Sequence, residues 1–284
     1  MMNYLKYFFQ FIVIVFFFSI FKIIGLKFST LLSGKIFTLI GSLFRSNKIC
    51  HKNLNTAFPD YDLKQRKKII RKMWFNYGCI FAEYIFIKKI KKSKNITIEN
   101  QNILEKLKET SDPVIFVSGH FNNFELMAMH INNSGIDLST IYRPLNNMFL
   151  NPIMEKIRKT HICKKQIKKG ISGTKELLKN FKSGSSIALM IDQRVSEGIK
   201  VNFFGQKAST TTIPAQFVKK FNAKIVPIYI ERENLNKFKL KIYDPINFYE
   251  NETIEMITIK LNEVLEKMII KNPSQWIWTH NRWK

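Results

Sequence analysis

The longest apolar run in the chain, Tyr7 to Phe21, is broken only by Gln10 and Ser19. Carried on to Leu26 it admits Lys22 and reaches about the 20 residues that a helix needs to span a hydrocarbon core. A cleaved signal peptide would need a basic start and a small-x-small cleavage site, but only Lys6 precedes the run and no such site follows it. The expectation is therefore an uncleaved anchor over residues 1–27. Lys22, Lys27, Lys35, Arg45, Lys48 and Lys52 all follow the apolar run. That asymmetry places the remainder, residues 28–284, on the cytoplasmic side. A second, more polar apolar stretch from Phe28 to Phe44 reads as a helix lying in the membrane interface or packed on the domain.

Asp62 is positioned to cap a helix from Leu63 to about Ile87, basic in its first half and aromatic in its second, with Glu83 among the aromatics. Beyond residue 96 the pattern alternates between short apolar runs and segments of helical spacing. Strands are expected at Ile96 to Ile98, Val114 to Val117, Leu138 to Tyr142, Ser186 to Ile191, Ile225 to Ile230 and Lys239 to Tyr243. Helices are expected at Asn100 to Glu109, Met148 to Thr160, Gly173 to Phe181, Ile213 to Asn222 and Glu252 to Ile270. This alternation predicts an α/β fold, a mostly parallel mixed sheet flanked by helices.

The candidate chemistry sits where those strands end. Ser118-Gly119-His120-Phe121-Asn122-Asn123-Phe124-Glu125 reads as strand, tight turn, helix, with His120 at the carboxyl end of a strand, where open α/β sheets place ligands. A neutral imidazole there can take the proton of a hydroxyl attacking a carbonyl, and Glu125 is near enough in sequence to fold back onto the other ring nitrogen. On spacing alone, a histidine satisfied in a turn is an equal reading. Arg143 and Asp192 follow two other strands and can converge on His120, and Arg158 lies on the next helix; each arginine suits a phosphate or a structural ion pair, and Asp192 an arginine partner or a turn.

The charge balance narrows the partners. The chain carries 46 Lys and Arg against 21 Asp and Glu, a formal +25. An anionic partner fits that balance, whether phospholipid, phosphorylated substrate or acidic protein. Nucleic acid has no motif behind it, and the apolar anchor argues against it. Cys50, Cys79 and Cys163 are too scattered for a disulfide framework or a zinc site, and the His and Cys residues show no metal-ligand spacing. The final Trp276, Trp278 and Trp283, with His280 and Arg282, suit either a membrane boundary or a C-terminal staple on the domain.

As an ordered set, Asn53-Leu54 with Phe58-Pro59, Gly119-His120 with Glu125, Tyr142-Arg143-Pro144, Asp192-Gln193, Phe203-Phe204-Gly205 with Ala208 and Thr210, and the tryptophan tail give the chain a recognisable signature. It resembles the late acyltransferases of lipid A biosynthesis, the lauroyl/myristoyl transferase family. The resemblance implies a glycerolipid-acyltransferase type of fold on a membrane anchor. It implies transfer of a fatty acyl group from acyl carrier protein to a hydroxyl of an acyl chain on a sugar-phosphate lipid, a lipid A precursor of the Kdo2-lipid IVA type, with no cofactor, at the bacterial inner membrane among anionic lipids. By position, His120 and Glu125 match the family's catalytic pair, while Arg143, Arg158, Asp192 and Asn123 match residues near the substrate. Thr211-Thr212 stands where the family usually has Thr-Pro. Two other readings remain: the same chemistry on another glycolipid or phospholipid acceptor, and a non-catalytic membrane-bound module that binds carrier or lipid.

Overall fold

A computed structural model describes residues 2–110 and 112–284. The first helix, α1 (Met2–Phe44), is interrupted at Gly25, whose φ of 77° and ψ of 169° divide it into two limbs. Only glycine takes that backbone without steric cost. The break deprives the preceding turn of its usual amide donors, and the buried Ser29 hydroxyl lies 2.8 Å from the Phe21 carbonyl and 2.7 Å from that of Gly25. The kink falls two residues before the boundary expected at residue 27.

After α2 (Asn47–Ala57) comes α3 (Leu63–Glu83), which starts with a full capping box between Asp62 and Gln65. The second limb of α1 crosses α3 at small residues. A Cβ on Gly78 would stand 2.2 Å from the Ser33 carbonyl oxygen, and one on Gly41 would stand 2.3 Å from the Trp74 ring. This limb thus packs on the domain with one face and exposes Phe28, Leu39, Leu43 and Phe44 with the other. Tyr84–Phe86 forms a single 3-10 turn leading to the short α4 (Ile87–Lys91).

The main sheet is built from β1 (Ile96–Glu99), β2 (Ile115–Ser118), β3 (Leu138–Tyr142), β4 (Lys165–Lys168), β5 (Ser186–Met190), β8 (Ile225–Asn234) and β9 (Lys237–Ile242). Its order is β1-β9-β8-β2-β5-β3-β4. The pairs from β8 through β4 are parallel, β9 runs antiparallel to β8, and β1 follows β9. All four residues of β2 are buried, as a strand covered on both faces requires. The covering helices are α5 (Gln101–Thr110), α6 (Glu125–Asn133), α7 (Asn151–Ile157), α8 (Ile171–Lys182), α9 (Ile213–Phe221) and α10 (Ile254–Lys271). The mixed, mostly parallel sheet is the one the alternation predicts.

Several elements were not foreseen, among them an edge strand and a hairpin. The edge strand β4 is four residues, two of them lysines and one a glutamine, too polar to register as a strand. The hairpin of β6 (Ile199–Phe203) and β7 (Gln206–Thr210) turns at Phe204-Gly205, both with positive φ. Phe203 is buried there against Trp276 and Trp283, so the paired aromatics form part of the core. The expected helix at Met148 to Thr160 is shorter: α7 ends at Ile157 and passes into a π turn over Arg158–Ile162.

Replacing Gly78 by leucine forces a side chain into the α1–α3 crossing. Overpacking of this kind costs about 1–3 kcal/mol. Thermal unfolding in detergent should show a lowered Tm, and an unchanged Tm would contradict the close crossing.

Candidate active site

Neighbouring parallel strands put His120 and Asp192 side by side. In the β2–β5 register Ser118 faces Met190, and the ladder continues with the Ile191 amide on the Ser118 carbonyl at 2.9 Å. One step further, each chain leaves the sheet, and Asp192 receives two groups of the same residue. The His120 backbone N–H donates to Oδ2 at 2.7 Å, and ring Nδ1 lies 2.8 Å from Oδ1. Trp276 Nε1–H donates to Oδ2 at 2.8 Å, so one carboxylate that is 1% exposed is held from three directions. Gly119 is required by this approach, not by its backbone angles: a Cβ there would meet Asp192 Oδ2 at 3.1 Å and the Phe121 ring at 2.9 Å.

Burial works against a charged imidazole, but the adjacent Asp192 outweighs it and the His120 pKa stands above its ordinary value. Burial likewise opposes the Asp192 carboxylate, yet His120 and the N–H donors carry its pKa below the usual carboxylate value. With Nδ1 committed to a carboxylate, the proton of the neutral ring belongs on Nδ1. Nε2 has no protein partner among the described residues, and the side chain is 21% exposed. The ring borders a narrow cavity of about 40 Å³ walled by Met73, Tyr77, Ile80, Phe124, Trp276 and Ile277.

Glu125 does not take the place expected of it on the imidazole. It begins α6, and its Oε1 accepts from Arg158 Nε at 2.8 Å, from Arg158 Nη2 at 2.6 Å and from the Tyr84 hydroxyl. Arg158 wins the carboxylate because it brings a full charge and two donors to a single oxygen in a nearly buried site. The group is still close enough for both Glu125 and Arg158 to influence His120 electrostatically. Burial first, then Glu125, push the Tyr84 hydroxyl well above its ordinary pKa, so it acts as a neutral donor. The carboxylate that orients His120 is Asp192.

The turn after His120 is fixed from below. Asn122 has a φ of 40°, in the left-handed region that asparagine tolerates better than most residues. Its Oδ1 accepts from Arg232 Nη2 at 2.9 Å and its Nδ2 donates to Gln275 Oε1 at 2.9 Å. Arg232 in turn pairs with Glu83 at 2.5 Å, both buried. Asn123 is buried and directs its amide to Glu83 at 2.9 Å, so it braces the turn from inside. Arg143 lies just past β3, exposed and without an ion-pair partner among the described residues.

Tyr84, Trp276, Glu83 and Arg232 escaped the sequence reading as site residues. The acid inside an aromatic helix half was the signal for Glu83, and the tail tryptophans were the signal for Trp276. The tail itself is a staple: Trp276 and Trp278 are buried, and Asn53 Nδ2 donates to the carbonyls of Trp278 and His280 at 2.8 and 2.6 Å. Arg282 reaches Thr210 Oγ1 at 2.7 Å.

Residues 1–284 match the model of the bacterial lipid A biosynthesis acyltransferase family, and the chain belongs to that family. It is 24% identical over 253 residues to a lipid A biosynthesis acyltransferase of Haemophilus influenzae, covering 84% of this chain and 78% of that protein. It is 22% identical to the lipid A biosynthesis palmitoleoyltransferase of Escherichia coli, over 85% of this chain and 80% of the relative. Against the lauroyltransferase of the same organism the identity is 23%, over 84% and 79%. Among solved structures, the chain is similar to the 1-acyl-sn-glycerophosphate acyltransferase of Thermotoga maritima with a TM-score of 0.43 and 16% identity, over 87% of this chain and 98% of that one, too distant a likeness to add to the fold described above. The protein is thus an acyltransferase of lipid A biosynthesis, and its long apolar N-terminal helix fits membrane anchoring.

Burial alone would lower the His120 pKa, and Asp192 is the chief cause that lifts it, with Glu125 adding to it. In Asp192→Asn the imidazole should therefore titrate at lower pH than in the unaltered protein, as followed by NMR of ring-labelled histidine. An unmoved titration would show that Asp192 does not set the proton affinity of His120.

Proposed function

We propose that the protein transfers a fatty acyl chain from acyl carrier protein to a hydroxyl of a lipid A precursor of the Kdo2-lipid IVA type. In this reading it works at the cytoplasmic face of the bacterial inner membrane. The observation that carries the mechanism is the imidazole held by Asp192 at both its backbone and its ring, with Nε2 left open. Nε2 takes the proton of the acceptor hydroxyl as that oxygen attacks the thioester carbonyl carbon. Asp192 stabilises the imidazolium without taking its proton. As the tetrahedral intermediate collapses, the C–S bond breaks, the imidazolium returns its proton to the departing thiolate, and an ester and a carrier thiol are released.

Arg158, locked by Glu125 and Tyr84 beside the imidazole, supplies the positive charge toward which the oxyanion develops. Glu125 is then a positioning residue acting through Arg158. Arg143, exposed at the strand end, is suited to a phosphate of the acceptor. Asn123 acts indirectly, through the turn that presents His120. The cavity beside His120 admits only the reacting end of a chain in this conformation, so the wall formed by α3 and the tail must part to seat a full acyl group. The relatives' names, lauroyltransferase and palmitoleoyltransferase, support a fatty acyl donor.

The reading is tested by offering one acyl carrier donor to purified protein with a panel of acceptors and identifying products by mass spectrometry. Acylation of the lipid A precursor is expected; acylation of a glycerophospholipid alone would reassign the acceptor. His120→Ala should cost about 10²–10⁴ in rate, the usual contribution of a general base. Glu125→Gln should lower kcat and move the titration of the base to lower pH, because the Glu125 charge helps to raise the His120 pKa. Full activity in His120→Ala would overturn the mechanism.

A further inference from the structure

The first limb of α1 does not stand away from the catalytic domain as a free span would. At one end Phe18 and Phe21 pack against Phe81 of α3. At the other end Tyr4, Phe8 and Phe11 surround the ring of Phe149, with centroids 5.1, 5.5 and 5.8 Å away. From Tyr4 to Phe21 the helix rises about 25 Å, at about 1.5 Å per residue. The domain therefore touches the limb along a length close to that of a hydrocarbon core.

The segment that makes the outer contact is the connection from β3 to α7. Asn147 is buried, donates from Nδ2 to the Tyr7 carbonyl at 2.8 Å, and accepts at Oδ1 from the amides of Phe149 and Leu150 at 3.0 and 3.2 Å. One side chain thus closes the loop's own turn and ties it to the helix. Beside that tie the loop and the first turn of α7 carry exposed apolar groups: Met148 is 57% exposed, and Leu145 and Ile153 are each 39% exposed. Along the same limb of α1, Leu5, Phe9, Ile12 and Phe16 are likewise exposed. Arg143, Lys156 and Lys159 flank the loop, exposed and without ion pairs among the described residues.

We propose that the Leu145–Ile153 connection and the first limb of α1 form one membrane seat, in which both insert from the same side into a single leaflet of anionic phospholipid. A spanning limb would carry Tyr4–Phe11 to the far side of the bilayer and pull Asn147 and Phe149 through it. A limb lying along the leaflet keeps those contacts, buries these exposed apolar groups in hydrocarbon and leaves the flanking cations at the level of the lipid phosphates. Because Arg143-Pro144 leads directly from β3 into this loop, the seat sets the strand-end site next to the headgroups. The proposal rests on membrane association by α1 and not on the acyl-transfer reading.

The test uses the full chain in vesicles of phosphatidylethanolamine and phosphatidylglycerol; the three native cysteines are buried, which leaves an introduced one to be labelled. An environment-sensitive fluorophore on Met148→Cys should lose its emission to lipids carrying a nitroxide in the upper acyl chain and keep it in aqueous iodide. Tyr4→Cys should react with a membrane-impermeant thiol reagent from the side that holds the catalytic domain. Quenching at Met148→Cys by iodide, its crosslinking to a second copy, or labelling of Tyr4→Cys from the opposite side would each overturn the proposal. None of these readouts depends on turnover, so an inactive protein would still report on the seat.

Discussion

The structure depends on one buried carboxylate accepting from three donors. A lone ionised Asp192 at 1% exposure would be costly, and it is stable only because the His120 amide, the His120 ring and the Trp276 indole all converge on it. The groups that meet here come from three parts of the chain. The amide and ring come from the end of β2, the carboxylate from the end of β5, and the indole from the C-terminal tail. Two of the three bonds that satisfy Asp192 fix the backbone and the ring of His120, so stability and chemistry rest on one group.

Around that group, the remaining polar network explains why the site holds its shape. The Glu83–Arg232 pair is buried and is satisfied by the amides of Asn122 and Asn123, which binds α3 and β8 to the turn between β2 and α6. The Glu125–Arg158–Tyr84 cluster does the same on the other side of the imidazole. The tail closes the arrangement, with Asn53 of α2 donating to the Trp278 and His280 carbonyls. Residues far apart in sequence therefore form a single scaffold, whose parts are costly to remove singly because each leaves another buried group unpaired.

Much of this was legible in the chain. The apolar runs at Val114 to Val117 and Ser186 to Ile191 announce buried parallel strands, and residues following them at His120 and Asp192 were placed at one sheet edge by that reading. The pairing of carboxylates was not legible. Glu125 is five residues from His120 and Asp192 is seventy-two away, so sequence distance favours the wrong acid, and only the β2–β5 register and the capture of Glu125 by Arg158 decide it. Gly119 was read as a turn residue, whereas its function is to leave room for Asp192; the positive φ falls on Asn122. The hairpin at Phe203–Gln206 escaped because its strands are short and one is polar, and the tail because tryptophans suit a membrane boundary and a packed core equally well.

The central claim is that Asp192 holds the proton of the neutral ring on Nδ1 and leaves Nε2 as the base. The most direct measurement is the pair of ¹⁵N chemical shifts of His120 in the full-length protein, at a pH above the point where the ring loses its charge. The account predicts a protonated Nδ1 coupled to its hydrogen and an Nε2 shift typical of a bare nitrogen. A proton on Nε2 under those conditions would contradict it.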